Sequence, residues 1–135
     1  MYTVKYIGCF FAPEEVKKCL TDLERNVLDR EISAPHVTFS YEPKSVPWEF
    51  FGEEVTVKAV GYGNDGENEA LQVEFIKLPA GLNELTSEIA VPHITLSVSK
   101  RGRSVNSRWL EFKPITPFAM TGIFGAMDDE GAIHV

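Results

Sequence analysis

The chain has 135 residues, enough for one domain with a sizeable core and too few for two ordinary ones. Its apolar fraction of 44% and charged fraction of 24% are ordinary for a globular protein, and no stretch approaches the unbroken apolar length of a membrane span. The net charge of −7 argues against binding along a long nucleic-acid duplex, which needs many phosphates neutralised by Lys and Arg.

Tyr2 to Phe11 is rich in aromatic and branched residues and predicts a buried strand, with Gly8 marking a bend or a close approach. The opening Tyr2-Thr3-Val4-Lys5 lacks the basic-then-apolar organisation of a secretory signal, so a cytoplasmic location is expected. A helix should follow from Pro13: Glu14 and Glu15 suit its positive end, and Val16, Leu20, Leu23 and Val27 share one face. Cys9 and Cys19 belong to no Cys-x-x-Cys pair, which predicts two reduced packing residues and neither a disulfide framework nor a metal site.

Residues 33–41 predict an extended strand containing Pro35-His36-Val37-Thr38-Phe39, followed by a connection with Pro43, Pro47, Trp48, Phe50 and Phe51. Alternating Val55, Val57 and Ala59, a turn rich in Gly61, Gly63, Asn64, Asp65 and Gly66, and alternating Leu71, Val73 and Phe75 predict a hairpin. Leu82, Leu85 and Ile89 predict a shorter helix between Pro79 and Pro92. Pro92-His93-Ile94-Thr95-Leu96 then repeats the earlier pattern 57 residues on, and each copy adds a serine, Ser40 and Ser97, two residues past its threonine. Lys100 to Arg108 carries four positive charges and no acid, which leaves −11 for the rest of the chain. The tail alternates around Trp109 to Phe112 and Phe118 to Met127, and Asp128-Asp129-Glu130-Gly131 predicts a turn before a final short strand.

The two five-residue copies carry the chemistry. On a strand, His36, Thr38 and Ser40 fall on one face and Val37, Phe39 and Tyr41 on the other, and the second copy repeats this with His93, Thr95 and Ser97 opposite Ile94, Leu96 and Val98. Imidazole suits proton transfer near neutral pH, and a hydroxyl two residues away can donate to an oxyanion. Two such faces opposed would set a general acid and a general base around a phosphate. Ser40 and Ser97, one pleat further along, and the basic residues Lys100, Arg101 and Arg103 are candidate accessory contacts. Tyr6, Phe10, Tyr41 and Trp48 read as packing residues or, alternatively, as surfaces for a base. His134 lies outside both motifs and reads as an edge-strand histidine.

Strand, helix and motif strand occur once in each half, an approximate internal repeat. The expected fold is α+β and bilobed: two pseudo-symmetric antiparallel sheet-plus-helix halves, about 1–50 and about 51–135, around a central cleft in one domain over 1–135. The order of strand pairing is open, a single continuous sheet included.

His36-Val37-Thr38-Phe39 and His93-Ile94-Thr95-Leu96 resemble the paired motifs of the two-histidine phosphoesterase superfamily, and the order of strands and helices is similar over most of the chain. The resemblance implies metal-independent phosphodiesterase chemistry without a cofactor. It implies substrates such as 2′,3′-cyclic phosphates of nucleotides or short RNA ends; other relatives open cyclic ADP-ribose phosphates, cut 2′-5′ linked oligonucleotides, trim RNA 3′ ends or cleave cyclic oligonucleotide signals. By position, His36 and His93 would transfer protons, and Thr38 and Thr95 would hold the non-bridging phosphate oxygens. A small nucleotide or short RNA is the expected partner, with no long duplex and no membrane. A nucleotide-binding module without turnover, and a phosphodiesterase for 2′-5′ or cyclic oligonucleotides, are the alternatives.

Overall fold

A computed structural model describes residues 2–135. Eight strands and two short helices follow in the order β1 (Val4–Phe10), α1 (Pro13–Cys19), β2 (Arg30–Glu31), β3 (His36–Tyr41), β4 (Glu54–Asn64), β5 (Asn68–Lys77), α2 (Asn83–Ser87), β6 (His93–Val98), β7 (Lys113–Asp128) and β8 (Ile133–His134). Short 3-10 turns occupy Trp48–Phe50, Ala80–Leu82 and Ser104–Trp109. Among the described residues no helix is long and apolar enough to cross a membrane.

All strands join one antiparallel sheet in the order β2-β6-β5-β4-β7-β1-β3, with β8 on β7. The mostly-β α+β class agrees with the sequence, and of the pairings left open there the single continuous sheet is the one formed, in place of a bilobed two-sheet arrangement. The sixteen-residue β7 gives one edge to β1, from Val4↔Asp128 to Phe10↔Ile123, and the other to β4, from Glu54↔Ile123 to Tyr62↔Lys113. A strand that long satisfies backbone groups on both sides and leaves no free edges between the halves.

Around the β4–β7 seam, β1-α1-β3 and β5-α2-β6 are topological equivalents, each a strand and a motif strand paired antiparallel with a helix between them. Phe10↔His36 and Gly8↔Thr38 in one unit match Gln72↔His93 and Ala70↔Thr95 in the other. Each motif proline extends the ladder by one bond: Phe11 N donates to Pro35 O at 2.9 Å, and Val73 N donates to Pro92 O at 3.0 Å. At Gly8 the strands come so close that a Cβ would strike the Val37 carbonyl, which accounts for glycine at the bulge.

One face of the sheet and the helices share the core. Ile7 and Cys9 from β1, Val37 and Phe39 from β3, Val55 and Val57 from β4, Leu71 and Val73 from β5, Ile94 and Leu96 from β6, and Phe124 from β7 pack with Val16, Leu20 and Leu82. Strand alternation therefore commits Val37, Phe39, Ile94 and Leu96 to the apolar side and puts both His-x-Thr sets on the other. The sheet curls until residues of β3 lie within 8 Å of β6, Cα to Cα, although four strands separate them in the pairing order.

Two local expectations are corrected. The first helix stops at Cys19 instead of running to Val27, which is exposed; the Thr21 hydroxyl bonds back to the Lys18 carbonyl and offers the backbone an alternative to another helical turn. Trp109 lies in a 3-10 turn instead of a strand, and the tail strand starts at Lys113. The hairpin and the final turn follow the sequence: Asp65 Oδ1 accepts from the Glu67 and Asn68 amides, Asp128 Oδ1 accepts from those of Glu130 and Ala132, and Gly66 and Gly131 adopt positive φ.

Candidate active site

His36 and His93 open their strands, and the residue two places before each fixes its ring. Ala34 and Val91 each precede a proline, which disfavours helical backbone, and each lies in a bend just before its motif strand. Their carbonyls accept from the imidazoles: His36 Nδ1 lies 2.8 Å from Ala34 O, and His93 Nδ1 lies 2.8 Å from Val91 O. A carbonyl only accepts, so both rings carry their proton on Nδ1 and present a lone pair at Nε2. Among the described residues neither Nε2 has a hydrogen-bond partner.

The histidines share this tautomer and differ in surroundings. His36 stacks on Tyr6, with ring centroids 4.7 Å apart and planes 23° from parallel, and Phe10 tilts against it at 5.6 Å, with Tyr6 and Phe10 6.0 Å from one another. Tyr6 and Phe10 flank Gly8 on the same face of β1 and serve as the wall of the His36 site. Burial raises the Tyr6 phenol to about 12, so it stays neutral. Burial likewise lowers the pKa of His36; the Ala34 carbonyl opposes this, and the nearby charge of a protonated His93 adds to it. The charge of a protonated His93 thus reaches the His36 ring across the space between the motif strands.

Burial also lowers the pKa of His93, opposed by the Val91 carbonyl and reinforced by the Arg108 guanidinium. Arg108 follows from the path of the basic segment. Ser99 N bonds Glu67 O, Gly102 packs on that carbonyl and Lys100 N bonds Asp29, so Lys100 and Arg101 lie at the opposite end of β6 from His93, about 17 Å along an extended strand. Arg103, whose carbonyl accepts from Asn68, begins the return, and the 3-10 turn Ser104–Trp109 runs back beside β5 and β6. The cation facing His93 is thus Arg108, not Lys100, Arg101 or Arg103. Its guanidinium carbon sits 4.7 Å from the centre of the Trp109 ring, and Trp109 is 73% exposed.

The threonines differ too. Thr38 is half-buried and has no side-chain hydrogen bond among the described residues. Thr95 is buried, with its Oγ1 2.8 Å from Ser107 Oγ and 3.4 Å from Ser104 O. Ser40 is partly exposed, and the bulge beyond Thr38 turns it from the Thr38 face to stand opposite the core residue Ile7, so the sequence expectation that it accompanies Thr38 is corrected. Ser97 is not available to a ligand: it is fully buried, donates to Glu69 Oε1 at 2.7 Å and accepts from Leu28 N at 3.0 Å.

Ser97 belongs to a structural network that the sequence reading missed. Glu69 is buried beneath the end of β6 and receives Arg25 Nε at 2.9 Å, Arg25 Nη2 at 2.8 Å, Tyr62 Oη at 2.6 Å and Ser97 Oγ. Burial alone would raise its pKa, but these donors outweigh that and hold it below the usual carboxylate value. The alternation of β5 offered a signal, since Glu69 falls among the core residues Ala70, Leu71 and Val73. His134 also has a partner, Asp128 Oδ2 at 2.8 Å, and stacks on Tyr2, closing the C-terminal strand onto the sheet away from the motifs.

Among the described residues no three His, Cys, Asp or Glu side chains gather as a metal would require. Cys9 is buried, its thiol pushed up to about 12 by desolvation, and is therefore inert; Cys19 is half-buried. A surface groove of about 410 Å³ between the end of α1 and the start of β7, lined by Leu23, Ile115 and Phe118, lies apart from the motif strands. Comparison with protein-family models and with curated proteins finds no match for this chain.

Proposed function

We propose that the protein is a metal-independent phosphodiesterase of the two-histidine type, acting on a 2′,3′-cyclic phosphate of a nucleotide or short RNA end. The observation that carries this reading is the pair of equivalent imidazoles, each with Nδ1 tied to a backbone carbonyl and Nε2 free, on motif strands drawn together by the curl of the sheet. In this reading the two strand-helix-strand units are two lobes, and the substrate lies in the cleft between them.

The reaction needs one neutral and one protonated imidazole. The neutral Nε2 takes a proton from water as its oxygen bonds to phosphorus. The protonated Nε2 gives its proton to the ribose oxygen as that P–O bond breaks, leaving a phosphomonoester and a free hydroxyl. Thr38 and Thr95 donate to the non-bridging oxygens, where negative charge builds up in the transition state. Arg108 adds a cation at the rim, and the exposed indole of Trp109 beside it supports a ligand that carries a base over a bare phosphate.

The test is product formation from 2′,3′-cyclic nucleotides, 2′-5′ and 3′-5′ oligonucleotides and cyclic oligonucleotides, in excess chelator, with wild type beside His93→Ala. Turnover of cyclic nucleotides by wild type alone is expected. Turnover of oligonucleotides instead would reassign the substrate, and saturable binding without product would leave a nucleotide-binding module.

A further inference from the structure

We propose that Ser107 is a positioning residue that turns the Thr95 hydroxyl into a fixed donor for the phosphoryl group; this rests on the reading of the site given above. Donor accounting carries it. Asn68 is buried, and its amide nitrogen lies 2.7 Å from the Arg103 carbonyl and 2.9 Å from Ser107 Oγ. A carbonyl cannot donate, so the amide atom facing Arg103 is the nitrogen, and both of its hydrogens are committed, one to each oxygen. Ser107 Oγ therefore accepts from Asn68, and of the two directions open to its 2.8 Å contact with Thr95 Oγ1, donation by Ser107 is the one that gives its own hydrogen an acceptor.

The Thr95 hydrogen has no comparable partner. Its nearest acceptor is the Ser104 carbonyl at 3.4 Å, beyond the range of a good O–H···O bond. A phosphoryl oxygen at ordinary distance takes that hydrogen over. A hydroxyl that already accepts a strong bond is polarised and donates more strongly. The relay is also anchored: the Asn68 backbone N–H donates to Asp65 Oδ1 in the β4–β5 turn, and Asn68, Ser107 and Thr95 are all buried, so the chain is shielded from water. Thr38 has no counterpart to this chain and adjusts to the ligand instead.

A double-mutant experiment with 2′,3′-cyclic AMP separates positioning from general damage. Ser107→Ala is expected to lower kcat by about three- to tenfold with KM little changed, and Ser107→Thr, which keeps the hydroxyl, to restore most of it. In a Thr95→Val background Ser107→Ala should cost nothing further, while in a Thr38→Val background it should cost its full amount. Equal losses in both backgrounds would overturn the proposal. If wild type turns over no member of the substrate panel, the phosphodiesterase reading fails, and the relay is judged by hydroxyl-proton NMR. A slowly exchanging Ser107 hydroxyl with a cross-peak to the Thr95 methyl supports the donor direction, and exchange averaging with water overturns it.

Discussion

The surroundings of His36 and of His93 show how one short motif, used twice, yields two unlike half-sites. The first is walled by the rings of Tyr6 and Phe10, with a threonine that has no set partner. The second is braced by polar groups: Thr95 is held through Ser107 and Asn68, Arg108 lies at the rim, and Glu69 with Arg25, Tyr62 and Ser97 secures the far end of the strand. Backbone pairing and imidazole tautomer are the same in both, so the difference arises from what packs on the ladder. A symmetric ladder can thus hold an asymmetric pair, as an acid and a base require.

The largest effect should come from removing what the halves share. His36→Ala and His93→Ala are each expected to reduce turnover at least about a hundredfold, with the double variant little worse than either single one and an unchanged circular dichroism spectrum. Substantial activity in the double variant would sink the acid-base assignment. The threonines then sharpen the contrast: Thr95→Val should lower kcat by about a hundredfold, and Thr38→Val by less, because a mobile donor is more easily replaced by water. Thr→Ser at either position should retain more activity than Thr→Val, as single-turnover rates would show.

Glu69→Ala tests the brace and not the chemistry. It should destabilise the fold by about 3–5 kcal/mol in urea unfolding at pH 7, since Arg25 is left as a poorly compensated charge. The Glu69 carboxyl is held below its unfolded value, so its contribution is present above pH of about 4.5 and fades as pH falls through the folded pKa. The wild-type advantage over Glu69→Ala should therefore shrink in acid.

Smaller effects concern pH and salt. Both imidazoles are lowered below about 6.5, and catalysis needs one of them protonated, so the bell of kcat/KM should lie to the acid side of neutrality. Arg108→Ala removes the cation that disfavours protonated His93 and should move that bell to higher pH. The same change should raise KM about two- to fivefold at low salt, with the difference vanishing at high salt. A KM that responds equally to salt in both proteins would remove Arg108 from the binding surface.

The sequence made the motif strands, their polar and apolar faces, the hairpin turn and the C-terminal turn legible, because each is written in a period of two or in local turn chemistry. It did not reveal that β7 fuses the halves, since the pairing of Tyr62 with Lys113 or of Val4 with Asp128 leaves no local trace. Nor could charge counting choose Arg108 over Lys100 and Arg101. That choice depends on the chain reversing after Gly102, which the approach of Gly102 to the Glu67 carbonyl permits. Ser97 looked like a ligand contact because strict alternation puts it beside Thr95, but the register slips by one residue between Glu69 and Ala70, so Ser97 stands opposite Glu69 on the core side.

The position of β7 in the chain has a consequence for how the protein assembles on the ribosome. Both histidine strands emerge before residue 113, when the sheet links their units through β2 and Ile32, which bond β6, and not yet through β7. A nascent chain halted at Phe112 lacks the strand that bridges β1 and β4, so the β1–β3 pair meets the ribbon of β4, β5 and β6 through the short β2–β6 pairing and without its main seam. Contacts of such long sequence separation form late and slowly. The two half-sites are made early, and the last long strand, threaded between β1 and β4, closes the sheet that holds them as a pair.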